Sequence, residues 1–149
     1  MFKIPKSILV MIYSGQQVLL LERMRPEGFW QSVTGSLEVG ESWRDAAIRE
    51  LQEETGFAAE GLVDTGVRNL FPIVPPWRER YAPEVDNNEE HIFTLALPDC
   101  PTPQLRPSEH GNFIWLPAAE AALRTGSWTN RDAILRQFGA VLDASPAAS

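Results

Sequence analysis

An α/β fold, with helices on both sides of a mixed central sheet, is what this sequence predicts from three observations. Ser7–Tyr13 (SILVMIY) is a nearly unbroken apolar run with β-branched members, the pattern of a strand buried on both faces. Further strand-like runs follow, interrupted by one helix-patterned segment mid-chain and two near the C-terminus. The 149 residues suffice for one domain with a sizeable core, and 44% hydrophobic with 22% charged residues is ordinary for a globular chain. The expected domain spans 1–143, and 144–149 (ASPAAS) is expected to be a disordered tail.

Each element has its own signal. Ser14-Gly15-Gln16-Gln17 turns the chain, and Val18–Arg23 (VLLLER) returns as a second strand. Phe29–Thr34 (FWQSVT) alternates apolar and polar residues as a third strand leading into Gly35. A helix opens after Ser42, a good N-cap, with Asp45 completing a capping-box-like pair. It ends at Thr55-Gly56, where glycine takes the left-handed conformation other residues avoid. Trp43, Ala47, Ile48 and Leu51 should form its buried face, with Glu50, Glu53 and Glu54 on the opposing side.

Leu62–Val67 reads as a strand that Asn69–Val74 continues. The proline-studded loop Pro72–Pro83 carries Trp77, Arg78, Arg80 and Tyr81, and a loop this long is more often functional than idle. Glu89–Leu97 (EEHIFTLAL) is a strand, Asp99–Ser108 is irregular because of its prolines, and Phe113–Leu116 is a short buried strand. Pro117 suits the first position of a helix over Ala118–Arg124, ended by Gly126. Thr129 caps the last helix, to about Val141, whose apolar stripe is Ile134, Leu135, Phe138 and Val141.

A net charge of −7 argues against a nucleic-acid backbone binder, although bound metal ions can reverse the local sign for a small anion. The single cysteine, Cys100, cannot form an internal disulfide, fits a reducing compartment and reads as an inert loop thiol. Lys3 and Lys6 precede an apolar run too short for a signal sequence or a bilayer span, so a cytoplasmic location is expected.

The chemistry concentrates in Gly35–Phe57, GSLEVGESWRDAAIRELQEETGF, which crowds six carboxylates into 23 residues. Glu50 and Glu54 stack one helical turn apart with Glu53 beside them, and like charges at that spacing repel by a few tenths of a kcal/mol each. A chain that tolerates this has reason to hold a cation. Oxygen ligands on a rigid helix suit Mg²⁺, which takes a few carboxylates and completes its shell with water and substrate phosphate. Arg49 is placed to pair with Glu53 four residues on, and Gly35 and Gly40 bracket a loop whose backbone N–H groups could approach phosphate.

The spacing of Gly35, Glu41, Arg49, Glu50, Leu51, Glu53, Glu54, Gly56 and Phe57 resembles the Nudix box at every defined position. Seven fixed identities would coincide by chance on the order of one time in 10⁸. The resemblance implies an α/β/α sandwich that hydrolyses a nucleoside-diphosphate-linked compound. It implies Glu50, Glu53 and Glu54 as the core of a Mg²⁺ site (Mn²⁺ a substitute), with Arg49 steadying the box by ion pairing. Glu109, in Ser108-Glu109-His110, is the candidate general base or further metal ligand; a plain surface carboxylate is the alternative. Glu53, Glu109 and Arg49 thus form the expected catalytic set.

Outside the box, FKIPKSILV, FWQSVTGSLEVGE, RYAPEV, LALP, SEH and SWTNRDAI resemble the dihydroneopterin triphosphate diphosphatase branch of that family. This implies Mg²⁺-dependent release of pyrophosphate from 7,8-dihydroneopterin triphosphate in folate synthesis, with dATP among further substrates. It also implies Lys3, Arg23 and Thr34 as substrate contacts, Ser127 beside Trp128 closing the pocket, and Phe71 with Ile73 as an apolar wall. Val39 departs from the branch, where Glu is common, and the 72–80 loop diverges. The alternatives are a house-cleaning hydrolase of dATP or oxidised nucleotides and, disfavoured by the intact box, a non-catalytic binding module. The expected partner is a small triphosphate, pterin or nucleotide, with neither nucleic acid nor membrane, acting on a monomer or weak homodimer.

Overall fold

The computed structural model describes residues 2–75 and 77–143, with backbone alone at 140–143. The strand predicted to be buried on both faces organises it. β1 (Lys6–Ser14) sends Ile8, Val10 and Ile12 into one core and Leu9 and Met11 into the other. The helix α1 (Trp43–Thr55) closes the first core through Ala46, Ala47 and Leu51. The pair α2 (Ala118–Arg124) and α3 (Trp128–Asp143) closes the second through Ala121, Ala122, Ile134 and Phe138. The α/β/α sandwich follows from that alternation.

The remaining strands are β2 (Gln17–Arg23), β3 (Trp30–Gln31), β4 (Val33–Ser36), β5 (Val63–Pro72), β6 (Asn87–Ala96) and β7 (His110–Pro117). The sheet runs β3-β2-β1-β6-β5, with β4 added on β1 and β7 on β2. It is mixed, because β6 lies parallel to β1 while the other pairs are antiparallel.

β1 and β2 pair at their hairpin end, Tyr13↔Val18 and Ser14↔Gln17, and then separate. One segment fills the gap by pairing with both: β3 joins β2 at Leu21↔Gln31, and β4 joins β1 from Val10↔Val33 to Ser7↔Ser36. The single strand predicted over Phe29–Thr34 is therefore two short ones broken at Ser32. The break is held from 98 residues away: Ser32 N–H donates to Asn130 Oδ1 at 2.7 Å, and Asn130 Nδ2 donates to Ser32 Oγ at 2.9 Å.

Several local expectations hold. Ser42 Oγ accepts the Asp45 N–H at 3.0 Å, and Gly56, at φ 75°, donates its N–H to the Gln52 carbonyl at 2.8 Å. Others need correction. The inward stripe of α1 is Ala47, Glu50, Leu51 and Glu54, so Ile48 is exposed and two of the glutamates are buried rather than opposed to the core. Gly35 lies within β4 rather than at its boundary with the loop.

The runs at 62–74 form one strand with a bulge between Asp64 and Arg68, where Gly66 has φ 80°. β7 is longer than predicted and half exposed, since it is an edge strand. Pro117 closes β7 just ahead of α2. The last helix is capped by Ser127, whose hydroxyl accepts the Asn130 N–H at 3.4 Å; Thr129 is buried inside its first turn, and Leu135 is exposed. The Val141 side chain and the 144–149 tail lie outside the described residues. Among the described residues no helix is long and apolar enough to cross a membrane.

Candidate active site

A cleft of about 980 Å³ opens over the β3–β4 break, and it receives the middle of α1 through Arg49 and Glu50, the end of β5, the start of β7 and the loop residues Ile73, Val74, Trp77, Arg80 and Tyr81. How α1 delivers carboxylates to it begins at Gly35. A Cβ there would overlap the Glu50 carboxylate, so the absent side chain makes the space in which Glu50 reaches the cleft.

Arg49 holds the approach in place. Its guanidinium forks onto Glu41 at 2.8 and 2.9 Å, donates to Glu50 Oε1 at 2.6 Å and to the Ser36 carbonyl at 3.0 Å, and lies 3.5 Å from Glu53. The planar fork suits this bidentate task, and the partners push the guanidinium pKa further upward. Glu53, the predicted partner of Arg49, is thus the most distant of its hydrogen-bond partners. Glu53 Oε2 instead accepts from Arg106 at 3.1 Å on the rim, and Arg106 also comes within 3.6 Å of Glu109.

Glu54 is 1% exposed, and among the described residues neither of its oxygens has a hydrogen-bond partner. Burial, followed by the adjacent Glu50 carboxyl and then Glu109, raises its pKa well above the carboxylate range. Both ring nitrogens of buried His110 likewise lack a partner among the described residues, and burial next to Arg23 lowers that imidazole to about 4, so it is neutral at pH 7. Ligand atoms of Glu54, Glu109 and His110 lie within 4.8 Å of one another.

Orphaned acceptors gathered this closely fit a divalent cation, and a carboxylate-rich donor set suits a hard one. His110 adds an imidazole nitrogen to the expected set of carboxylate oxygens. No local pattern marks it as a donor, because only the β7–β2 register (Arg23↔His110) brings it against Glu54 of α1.

The opposite charge is also present. Lys3, Arg23 and Arg80 share the cleft, and the Lys3 N–H donates to the Arg80 carbonyl at 2.8 Å, tying the N-terminal segment to the long loop. Partial withdrawal from water, and then mutual repulsion with Arg80, lowers the pKa of both Lys3 and Arg23. Three cations held together in this way attract a polyanion. All six predicted substrate contacts, Lys3, Arg23, Thr34, Phe71, Ile73 and Ser127, line the cleft along with Glu50 and Glu109. Trp128, half exposed, stands at its edge, and Phe29 and Trp77 meet edge to face at 5.3 Å within it. Glu53 and Glu54 do not line it: Glu53 lies outside, and Glu54 lies behind, facing His110 at 3.8 Å.

A carboxylate helix feeding a cleft beneath a split mixed sheet defines the class of protein: the chain belongs to the Nudix family, whose NUDIX domain matches residues 3–138, and it is a Nudix hydrolase. It is 45% identical over 139 residues to dihydroneopterin triphosphate diphosphatase of Escherichia coli K12, covering 89% of this chain and 91% of that one. It is 37% identical to the protein of the same name from Haemophilus influenzae, covering 89% and 87%. Among solved structures, that of the E. coli dihydroneopterin triphosphate pyrophosphohydrolase matches with a TM-score of 0.85 at 42% identity, covering 91% of this chain and 95% of that one.

Proposed function

We propose that this chain, one domain over 1–143 and cytoplasmic, hydrolyses 7,8-dihydroneopterin 3'-triphosphate to the monophosphate and pyrophosphate. Dihydroneopterin triphosphate diphosphatases at 45% and 37% identity support the substrate. The observation that carries it is one cleft holding a cation cluster, a carboxylate–imidazole cluster and a partly aromatic wall.

Glu54, Glu109 and His110, with Glu50 adjoining, would hold Mg²⁺ or Mn²⁺. A divalent ion there supplies charge neutralisation on the leaving phosphates and a more acidic water. Lys3, Arg23 and Arg80 bind phosphate oxygens and keep the chain of phosphates in line for attack. Arg49 positions Glu41 and Glu50. Glu53, paired with Arg106 outside the cleft, would be the carboxylate left to hold any second divalent ion. Glu109, with its side chain 42% exposed at the cleft, accepts the proton of the attacking water. Thr34 and Ser127 offer hydrogen bonds to the ring, while Phe71 and Ile73 flank its face.

The test supplies the pterin triphosphate, dATP and an oxidised nucleotide with Mg²⁺, identifies the released phosphate and compares kcat/KM. Pyrophosphate release with the pterin preferred is expected; dATP preferred tenfold or more returns the chain to the house-cleaning class. Glu109→Gln should lower kcat about a hundredfold with little change in KM, and an unchanged kcat removes it as the base.

A further inference from the structure

Two further buried acceptors line the cleft and play no part in that chemistry. Asn88 and Glu90 stand two residues apart on β6, so both project from the same face of the sheet; they are 2% and 5% exposed. Asn88 Nδ2 donates to Ser7 Oγ at 2.7 Å, which turns the amide so that Oδ1 is the end left open. Among the described residues, Asn88 Oδ1 and Glu90 Oε1 have no hydrogen-bond partner. An unpartnered buried acceptor is destabilising, and a ligand donor would offset that.

Among the described residues Glu90 belongs neither to an ion pair nor to the metal cluster. Burial raises it to about 7, and the Thr129 and Asn69 side chains that approach its carboxyl act less strongly the other way.

We propose that Glu90 and Asn88 read the substrate's ring, accepting hydrogen bonds from adjacent N–H donors such as the ring N–H and 2-amino group of a 2-amino-4-oxopyrimidine edge. This rests on the reading above only for which substrate carries the edge, since guanine carries it as well as a pterin. Adenine presents an amino donor beside a ring acceptor and sets that acceptor's lone pair against these two. A carboxamide in place of the Glu90 carboxylate would instead match adenine, with its oxygen accepting and its nitrogen donating.

The experiment measures kcat/KM for dihydroneopterin triphosphate, dGTP, dITP and dATP with the wild-type protein and Glu90→Gln, using Ki against the pterin triphosphate for any compound not turned over. In the wild type, dITP, which lacks only the 2-amino group of dGTP, should be at least tenfold poorer, because an acceptor built for that donor is left unpaired. Glu90→Gln should lower kcat/KM for the pterin and dGTP about 10–100-fold, mainly through KM, and leave dATP equal or better. A uniform fall across the four, no change, or equal use of dGTP and dITP by the wild type overturns the inference. The wild-type comparison decides even if the variant does not fold. A wild-type preference for dATP over the pterin overturns the substrate reading, while the dGTP to dITP ratio still decides this one.

Discussion

Glu54 is the buried acid of α1 that lacks a hydrogen-bond partner among the described residues. It is buried, unpartnered and raised in pKa, which makes the metal-free native state poorer than it need be and the site eager for a cation. A ligand that binds only the native state raises Tm. Mg²⁺ should therefore raise the melting temperature of the wild type and leave that of Glu54→Gln unchanged, while kcat of the variant falls a hundredfold or more. An equal shift in both proteins would place the ion elsewhere.

Glu90 makes a different prediction, about pH. Its native value of about 7 lies above the ordinary 4.5, so between those values the native state holds a proton the unfolded chain has released. Stability contributed by this group is then present at low pH and lost as pH rises through 7, by at most about 3 kcal/mol. Urea melts of metal-free protein at pH 5 and pH 8 should show this decline in the wild type and a flatter response in Glu90→Gln. Parallel responses would mean that Glu90 does not titrate this way.

At the scale of elements, β4 and α1 work as one device. α1 was legible because its start and stop are local: Ser42 caps it and Gly56 ends it, as the chain order suggests. Its inward face was not, because a stripe of Ala47, Glu50, Leu51 and Glu54 does not look apolar, and the eye moves to Ile48. Gly35 is the complementary case. Its identity belongs to the box motif, but its purpose, leaving room for Glu50, belongs to the packing. Gly35→Ala should displace the Glu50 carboxylate, lower kcat at least tenfold and cost about 1–3 kcal/mol as an overpacked site. Unchanged turnover with an unchanged melt would show that the helix can shift freely to make room.

Across the whole molecule, Asn130 connects the layers. From the first turn of α3, fully buried, it satisfies the Ser32 N–H and hydroxyl at the strand break and accepts from Thr125 Oγ1 at 3.0 Å. Asn130→Ala would strand these groups in the interior. The expected cost is about 3 kcal/mol, or a fall in Tm of roughly 6–12 °C for a chain of this size. The cleft should loosen with it, raising KM, because Gln31 and Thr34 on either side of Ser32 both line the cleft. A loss below about 1 kcal/mol would mean that water replaces the amide at no penalty.

The sequence alone determined the two-faced central strand, the capped helix and the spacing of its acidic residues. These are properties of neighbours along the chain, where periods of two and of three to four translate directly into shared faces. Only the tertiary structure decided that Glu54 rather than Glu53 lies at the heart of the carboxylate–imidazole cluster, that His110 joins it, and that Glu90 and Asn88 wait unpartnered in the cleft. Those outcomes depend on register between β2 and β7, on β6 lying parallel to β1, and on a hydrogen bond spanning 98 residues. Burial and the absence of a partner arise between segments, so no local pattern records them.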